Sequence, residues 1–277
     1  MAQNKQALKS RIRSIKATKK ITSAMELIAN AKLAKQRNGM EANREYANVL
    51  QETVADIIVS NKDLESKFLS KKKSDKTYAI IFSSDLGLCG AYNINMFKLA
   101  KEKLNKDDKV AVIGTKLYSN FVNEGYDVVN DVVSVDSLTY ETIQKITDNA
   151  INAYLNDEVG KIEVIYTKFI NTVSFEPMVN VLLPYENQKE GKIMETIFDP
   201  SANEVLDDLI VMMTKSVVYS LSLETKTSEQ ASRRMAMENA NDNAEELEDK
   251  LVLAYNQARQ ASITQEITEI VSGADAL

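Results

Sequence analysis

Residues 237–268 read MENANDNAEELEDKLVLAYNQARQASITQEIT, and their apolar and small side chains recur at spacings that alternate between three and four. This heptad period is typical of a helix that packs against a second helix in a coiled coil. The expected seam consists of Met237, Ala240, Ala244, Leu247, Leu251, Ala254, Ala258, Ala261, Gln265 and Thr268. Because Ala, Gln and Thr bury little apolar surface, we expect the end of this coil to be frayed or enclosed by another protein.

The heptad region belongs to a longer helix. No proline or glycine interrupts the chain from Ser201 to Ser272. At about 1.5 Å per residue this run would form a helix on the order of 100 Å long, more than one globular core can bury. A partner element is therefore required.

The first 60 residues supply a natural partner, since they lack proline and carry a helical stripe. The stripe consists of Leu8, Ile12, Ile15, Thr22, Met25, Ala29, Leu33 and Met40. Residues 1–40 contain ten Lys or Arg and the single acid Glu26, whereas residues 238–275 contain nine Asp or Glu against Lys250 and Arg259. Opposite charges at the two ends favour an antiparallel pair of helices, although each surface ion pair contributes at most about 1 kcal/mol.

Between the two helices the pattern changes to short β-rich runs that alternate with amphipathic segments, which is typical of βαβ units with a mainly parallel sheet. The predicted strands are Thr77–Ser83, Lys109–Gly114, Asp127–Val133 and Lys161–Phe169, followed by edge strands at Phe175–Leu183 and Ile193–Phe198. The predicted helices are Asn93–Leu104, Leu117–Asn123 and Thr139–Leu155. The expected organisation is an α/β, Rossmann-like domain at 77–198, inserted between terminal helices at 1–60 and 201–277 that form one discontinuous unit.

Composition excludes several classes of protein. A hydrophobic content of 44% with 27% charged residues rules out bulk disorder. No apolar run approaches the roughly 20 residues that cross a bilayer, and the N-terminus lacks the apolar core of a signal peptide, so we expect a cytoplasmic chain. The absence of histidine and the single Cys89 exclude an internal disulfide and a thiolate metal cluster, and remove the commonest general base.

Two motifs allow a functional and a structural interpretation. The loop from Ser83 to Gly90 lies between a predicted strand and a helix, where doubly wound folds bind phosphate, but it lacks the first glycine of G-x-G-x-x-G and the lysine of a P-loop. We favour a tight turn at Gly87 and Gly90 with Cys89 packed as a small apolar residue. The basic N-terminal run could bind nucleic acid, but no aromatic residue precedes Tyr46 and the chain is acidic, so a solvated or partner-facing helix is favoured.

Three segments resemble the γ subunits of rotary ATP synthases. Residues 263–276 (ITQEITEIVSGADA) satisfy the family signature I-T-x-E-x-x-[DE]-x-x-x-G-A-x-[SAKR] at every fixed position. Residues 11–29 (RIRSIKATKKITSAMELIA) and 83–95 (SSDLGLCGAYNIN) also look like family segments. The resemblance covers nearly the whole chain and is weakest from about 120 to 200.

The resemblance implies an antiparallel, left-handed coiled coil inside a hexamer of α and β subunits, with the α/β domain against the ε subunit and the c-ring. It implies a central-stalk rotor that couples proton flow to ATP synthesis or hydrolysis on β, carries no catalytic residue, and needs no cofactor or metal. It also implies a peripheral location on the cytoplasmic face of a bacterial plasma membrane, reached only through the complex, and no nucleic-acid partner.

Six positions match family residues that contact β. Arg259 and Gln260 resemble the pair that hydrogen-bonds a β loop called the catch, and Thr264 and Glu266 resemble residues that affect coupling. Met25 and Arg233 resemble residues that face the β lever region and acidic β residues. An arginine can hold a carboxylate bidentately and release it when the geometry changes, which suits a moving contact.

Two other classes remain open from the sequence. A nucleotide-dependent enzyme with helical extensions would depend on the loop at Gly87–Gly90, and nucleotide binding by the isolated chain would favour it. A coiled-coil scaffold would depend on the heptads alone, and failure to copurify with ATP synthase α and β subunits would favour it.

Overall fold

The computed structural model describes residues 2–61, 64–70, 72–186, 191–193 and 197–274. Its helices are α1 (Ala2–Ser60), α2 (Tyr92–Lys103), α3 (Thr115–Asn123), α4 (Tyr140–Leu155) and α5 (Ala202–Ala274). Its strands are β1 (Thr77–Phe82), β2 (Lys109–Ile113), β3 (Asp127–Val128), β4 (Lys161–Asn171) and β5 (Ser174–Leu183). The two long terminal helices and the α/β region between them confirm the expected fold class.

The five strands form one sheet in the order β3-β2-β1-β4-β5. All neighbouring pairs are parallel except β4 and β5, which run antiparallel and place β5 at an edge. The buried residues of β1 alternate between the two faces of the sheet, as a strand covered on both sides requires.

Each face of the sheet has its own apolar core. On one face Ile81 and Val112 pack with Met96 of α2 and Phe121 of α3. On the other face the core includes side chains from α1, α4 and α5. Those side chains include Val54, Ile57, Ile143, Tyr154, Leu206 and Ile210. Helices on both faces of a mainly parallel sheet define a doubly wound domain.

Two predicted strands differ from the structure. The predicted strand Asp127–Val133 is too long, because β3 ends at Val128. At Asn130 the side-chain amide, instead of a backbone group, hydrogen-bonds to β2. Asn130 Oδ1 accepts from the N–H of Val112 (2.8 Å), and Asn130 Nδ2 donates to the carbonyl of Val112 (3.0 Å). The predicted strand Ile193–Phe198 lies partly outside the described residues, and its described members are not in a strand.

The chain divides into two compact units, one made of Ala31–Ser232 and the other of Met1–Asn30 with Arg233–Leu277. We call them the α/β unit and the helical unit. Both long helices contribute to both units, so the division at 1–60, 77–198 and 201–277 stays a prediction. Within the described residues, no helix is both long enough and apolar enough to span a membrane.

Candidate functional site

The helical unit pairs its two segments in antiparallel order. Lys16 lies 3.3 Å from Glu248, and Lys19 lies 3.0 Å from Glu245. Further along α1, Thr22 contacts Asn241. Later residues of α1 therefore pair with earlier residues of α5, as in an antiparallel arrangement. A hydrogen bond to Glu245 raises the pKa of Lys19 above its usual value. These pairs confirm that the basic N-terminal and acidic C-terminal segments face each other.

The seam on α5 departs from the predicted one at Leu247 and Ala261. A series of buried and half-buried positions on α5 repeats with heptad spacing. The series consists of Met237, Asn241, Ala244, Glu248, Leu251, Tyr255, Ala258 and Ser262, and Ala240 and Ala254 of the predicted seam are half-buried beside it. Leu247 is 48% exposed and Ala261 is also exposed, so their assignment to the seam was wrong. The polar pairs made by Asn241 and Glu248 account for their inward positions.

A polar layer crosses this seam at Asn241. The Thr22 hydroxyl donates to Asn241 Oδ1, and Asn241 Nδ2 donates to Glu26 Oε2 at 2.6 Å. All three side chains are half-buried. A polar residue in a coiled-coil seam penalises other registers, because slipping the helices would leave its groups without partners.

Four of the six predicted contact residues share the outer face of α5. Arg259, Gln260, Thr264 and Glu266 are all exposed. At 3.6 residues per turn they lie within an arc of about 160°, with Gln260 and Thr264 opposite the seam and Arg259 and Glu266 at its border. Exposed apolar side chains interleave with them: Ile263 (48%), Ile267 (56%), Ile270 (71%) and Val271 (53%).

We call this face, formed by residues 259–271, the outer strip. Its polar members are available for binding. Glu266 accepts a hydrogen bond from the Ser262 hydroxyl at 3.1 Å on its own helix. Over the described part of the chain, Arg259 and Gln260 make no intramolecular side-chain hydrogen bond or ion pair. Contiguous exposed apolar residues mixed with such groups are typical of a protein-binding surface.

The two remaining predicted contact residues lie elsewhere in the helical unit. Met25 is half-buried on α1, beside the exposed Ile21 and Ile28. Arg233 is only 6% exposed, in contrast to Arg259. The structure therefore places Arg259, Gln260, Thr264 and Glu266 on one surface and leaves Met25 and Arg233 apart from it. The contacts of all six with β stay predictions.

Ser84 and Asn93 hydrogen-bond to each other across the loop between β1 and α2. The backbone N–H of Ser84 donates to Asn93 Oδ1 (3.1 Å), and Asn93 Nδ2 donates to Ser84 Oγ (2.7 Å). Cys89 is 2% exposed, as expected of a small packed side chain. Positive φ angles occur at Leu88 (61°) and Gly90 (59°), so Gly90 but not Gly87 provides the expected conformational freedom.

Asp85 joins this loop to two others, a role that the sequence motif did not reveal. Its carboxylate accepts hydrogen bonds from Ser134 Oγ (2.7 Å) and from the backbone N–H groups of Asp136 (3.0 Å) and Thr115 (3.1 Å). Partial burial works to raise the pKa of Asp85, but these hydrogen bonds lower it below its usual value. These bonds give Asp85 a structural role, and a fixed negative charge in this loop disfavours an anionic phosphate.

The described residues also offer no metal centre, since they contain no group of three or more His, Cys, Asp or Glu side chains suitably placed for an ion. The outer strip of the helical unit combines exposed apolar and polar side chains, which is the chemistry of a protein contact.

Comparisons with known proteins agree with the fold and with the terminal motifs. A family model described as ATP synthase matches residues 4–277. The "ATP synthase gamma chain" of Alkaliphilus metalliredigens is 39% identical over 283 residues, covering 98% of each chain. The "ATP synthase gamma chain" of Mycoplasma capricolum is 37% identical over 279 residues, with the same coverage.

Solved structures share the fold. A chain of the Euglena gracilis mitochondrial ATP synthase in rotational state 3 gives a TM-score of 0.73 at 16% identity, covering 100% of this chain and 95% of that one. A chain of the rotor of the same enzyme in rotational state 1 gives 0.67 at 18% identity, with coverage of 95% and 100%. With matches that extend over almost its full length, this chain belongs to the family of ATP synthase gamma chains.

Proposed function

We propose that this chain is the central-stalk rotor subunit of an ATP synthase. In this role it couples proton flow through a membrane c-ring to conformational change at catalytic sites on the β subunits. Its partners are then the α and β subunits of the hexamer, the ε subunit and the c-ring. The full-length similarity to named gamma chains supports this proposal.

The observation that carries the proposal is the outer strip. A single helix face holds Arg259, Gln260, Thr264 and Glu266 among isoleucines that are about half exposed or more. Such a face is unfavourable in water and becomes favourable when a partner encloses it. Small and medium side chains can slide past a neighbouring surface, while Arg259 provides a directional contact that can form and break.

The chain itself is proposed to be non-catalytic. The sequence has no histidine, and Ser84 and Asn93 at the loop after β1 are hydrogen-bonded to each other. Nucleotide chemistry would then occur on β. The membrane association that we propose is peripheral and passes through the complex, on the cytoplasmic side in a bacterium.

Purification of the native complex through an affinity tag on this chain, followed by mass spectrometry, tests the proposal. We expect α, β, ε and c subunits to copurify, and we expect ATP hydrolysis by the complex but not by the isolated chain. Absence of α and β would refute the rotor assignment. ATP hydrolysis by the isolated chain would refute the non-catalytic role.

A photo-crosslinking amino acid at Gln260 tests the outer strip itself. Because Gln260 is exposed on the strip, we expect a crosslink to β in the assembled complex. The matched position is Ala258, which lies two residues away in the seam and should link to α1 within the chain. A probe at Gln260 that reacts with α1 instead would contradict the placement of the strip.

A further inference from the structure

In the α/β unit, helix α5 buries an unusual run of polar side chains. Amphipathic helices normally bury an apolar stripe. Here most residues between 224 and 232 are polar and at most 6% exposed. They are Glu224, Thr225, Thr227, Ser228, Glu229, Gln230 and Ser232. Since buried polar groups need hydrogen-bond partners, the side chains of this segment must form hydrogen bonds with specific donors and acceptors nearby.

The matching groups lie on strand β4, which extends past its neighbour. The last paired residue of β1 on this side is Ile81, opposite Ile165. Strand β4 continues to Asn171, so Thr167 and Phe169 lie beyond the end of the β1 ladder. Both residues are buried, and their free backbone groups would otherwise be a costly open edge.

Side chains of α5 take the place of the missing strand. Thr225 Oγ1 accepts from the N–H of Thr167 (3.2 Å), and Ser228 Oγ donates to the carbonyl of Thr167 (3.0 Å). Glu224 Oε1 accepts from the N–H of Phe169 (3.0 Å).

A fourth bond of the same kind reaches the loop after β1. Ser232 Oγ donates to the carbonyl of Cys89 at 2.7 Å. We call Glu224, Thr225, Ser228 and Ser232 the clasp. Helix α1 reaches the same place, because Arg44 lies 3.0 Å from Glu224 Oε1.

We propose that the clasp is a torsional joint, which fixes the rotation of α5 about its own axis relative to the sheet. This inference rests on the proposed rotor function, because a rotor must pass torque from its α/β unit into α5. Apolar packing is non-directional, whereas a hydrogen bond weakens steeply when donor and acceptor lose alignment. Residues 224, 225, 228 and 232 share one helix face, so turning α5 by one residue position would break all four contacts.

Hydrogen exchange in the full chain tests the joint's contacts. Thr225→Val keeps the shape of the side chain but removes the acceptor for the Thr167 N–H. We expect that amide to exchange roughly tenfold faster. The control is Thr227→Val, which is equally buried; among the described residues, its hydroxyl bonds only to the carbonyl of Leu223 on its own helix (2.8 Å). Unchanged protection of Thr167 in Thr225→Val would overturn the inference.

The mechanical role is tested in the assembled complex. The end of α5 is crosslinked to β, and the angular fluctuations of a bead on the α/β unit report torsional stiffness. We expect the double variant Thr225→Val with Ser228→Ala to show roughly twofold lower stiffness, because two directional bonds are lost. Thr227→Val should match the wild type.

The outcomes separate the two proposals. Faster exchange at Thr167 with unchanged stiffness would overturn the joint and leave the proposed function intact. A wild-type chain that does not assemble with α and β would refute the rotor function and the joint together. Faster exchange with lower stiffness, confined to the clasp variants, would support both.

Discussion

Asn241→Ala should destabilise the helical unit more than any exposed Asn→Ala change on the same helix. The Asn241 amide donates to the Glu26 carboxylate at 2.6 Å and accepts from the Thr22 hydroxyl. A hydrogen bond to a charged group contributes about 1.5–3 kcal/mol and a neutral one about 0.5–1.5 kcal/mol when buried. Because all three side chains are half-buried, we expect a combined loss of roughly 1.5–3 kcal/mol.

Helix propensity acts in the opposite direction, since alanine is favoured over asparagine by roughly 0.5 kcal/mol in a helix interior. Asn243→Ala controls for this term. It makes the same change two residues away, where the side chain is exposed. We therefore expect Asn243→Ala to be neutral or slightly stabilising and Asn241→Ala to lower the free energy of unfolding by about 1–2.5 kcal/mol.

Urea unfolding followed by circular dichroism at 222 nm measures both variants. A double-mutant cycle of Asn241→Ala with Glu26→Ala should give a coupling free energy of about 1 kcal/mol or more, because the two residues share a hydrogen bond. Equal stability of the Asn241 and Asn243 variants would refute the reasoning. So would a coupling free energy close to zero.

Three further predictions concern Arg259 on the outer strip, Met25 on α1 and Asp85 in the loop after β1. Arg259→Ala should slow ATP turnover of the complex roughly tenfold, because one charge-assisted bond is lost, while the isolated chain keeps its helical circular dichroism. The control Lys250→Ala, which removes a cation that pairs with Glu246 on the same helix, should change neither the turnover nor the helicity. A loss of helicity in Arg259→Ala would mark Arg259 as structural. Met25→Lys should reduce the number of protons pumped per ATP hydrolysed more than it reduces assembly, because the added charge can bind to β. The control Met25→Leu should preserve pumping. Wild-type pumping in Met25→Lys would contradict a contact between residue 25 and β. Asp85→Asn should lower stability by about 1–2 kcal/mol at pH 7, with Asp131→Asn as the exposed control. Because the pKa of Asp85 is lower in the folded chain, the stability that its carboxylate contributes is complete above about pH 4 and is lost as the pH falls through the folded pKa. Asp85→Asn should therefore lose less stability on acidification than the wild type. Equal losses would refute the role of Asp85.

Periodicity predicted most of the fold. The heptads of α5, the stripe on α1 and the alternation of β-rich and amphipathic runs depend on spacing, which is visible in the chain itself. The exposure of Arg259, Gln260, Thr264 and Glu266 on the outer side of α5 was also predictable, because they lie away from the small and apolar seam positions.

The errors arose where a side chain replaces a backbone or apolar partner. Asn130 ends β3 early by bonding Val112, and the polar Glu248 occupies a seam position in place of Leu247. The clasp was missed for the same reason. In the sequence, Thr225 and Ser228 resemble surface residues, and their role is visible only once the structure shows that β4 extends beyond the end of β1. Such pairings join residues far apart in sequence, so local patterns carry no signal for them.

Single-molecule rotation of the assembled α and β hexamer with this chain tests the central claim most directly. A bead is attached to the α/β unit, the hexamer is fixed to a surface, and ATP is added. We predict continuous rotation of the bead in one direction, with a rate that follows ATP concentration until it saturates. A complex that hydrolyses ATP at full rate while the bead shows only undirected fluctuations would contradict the account.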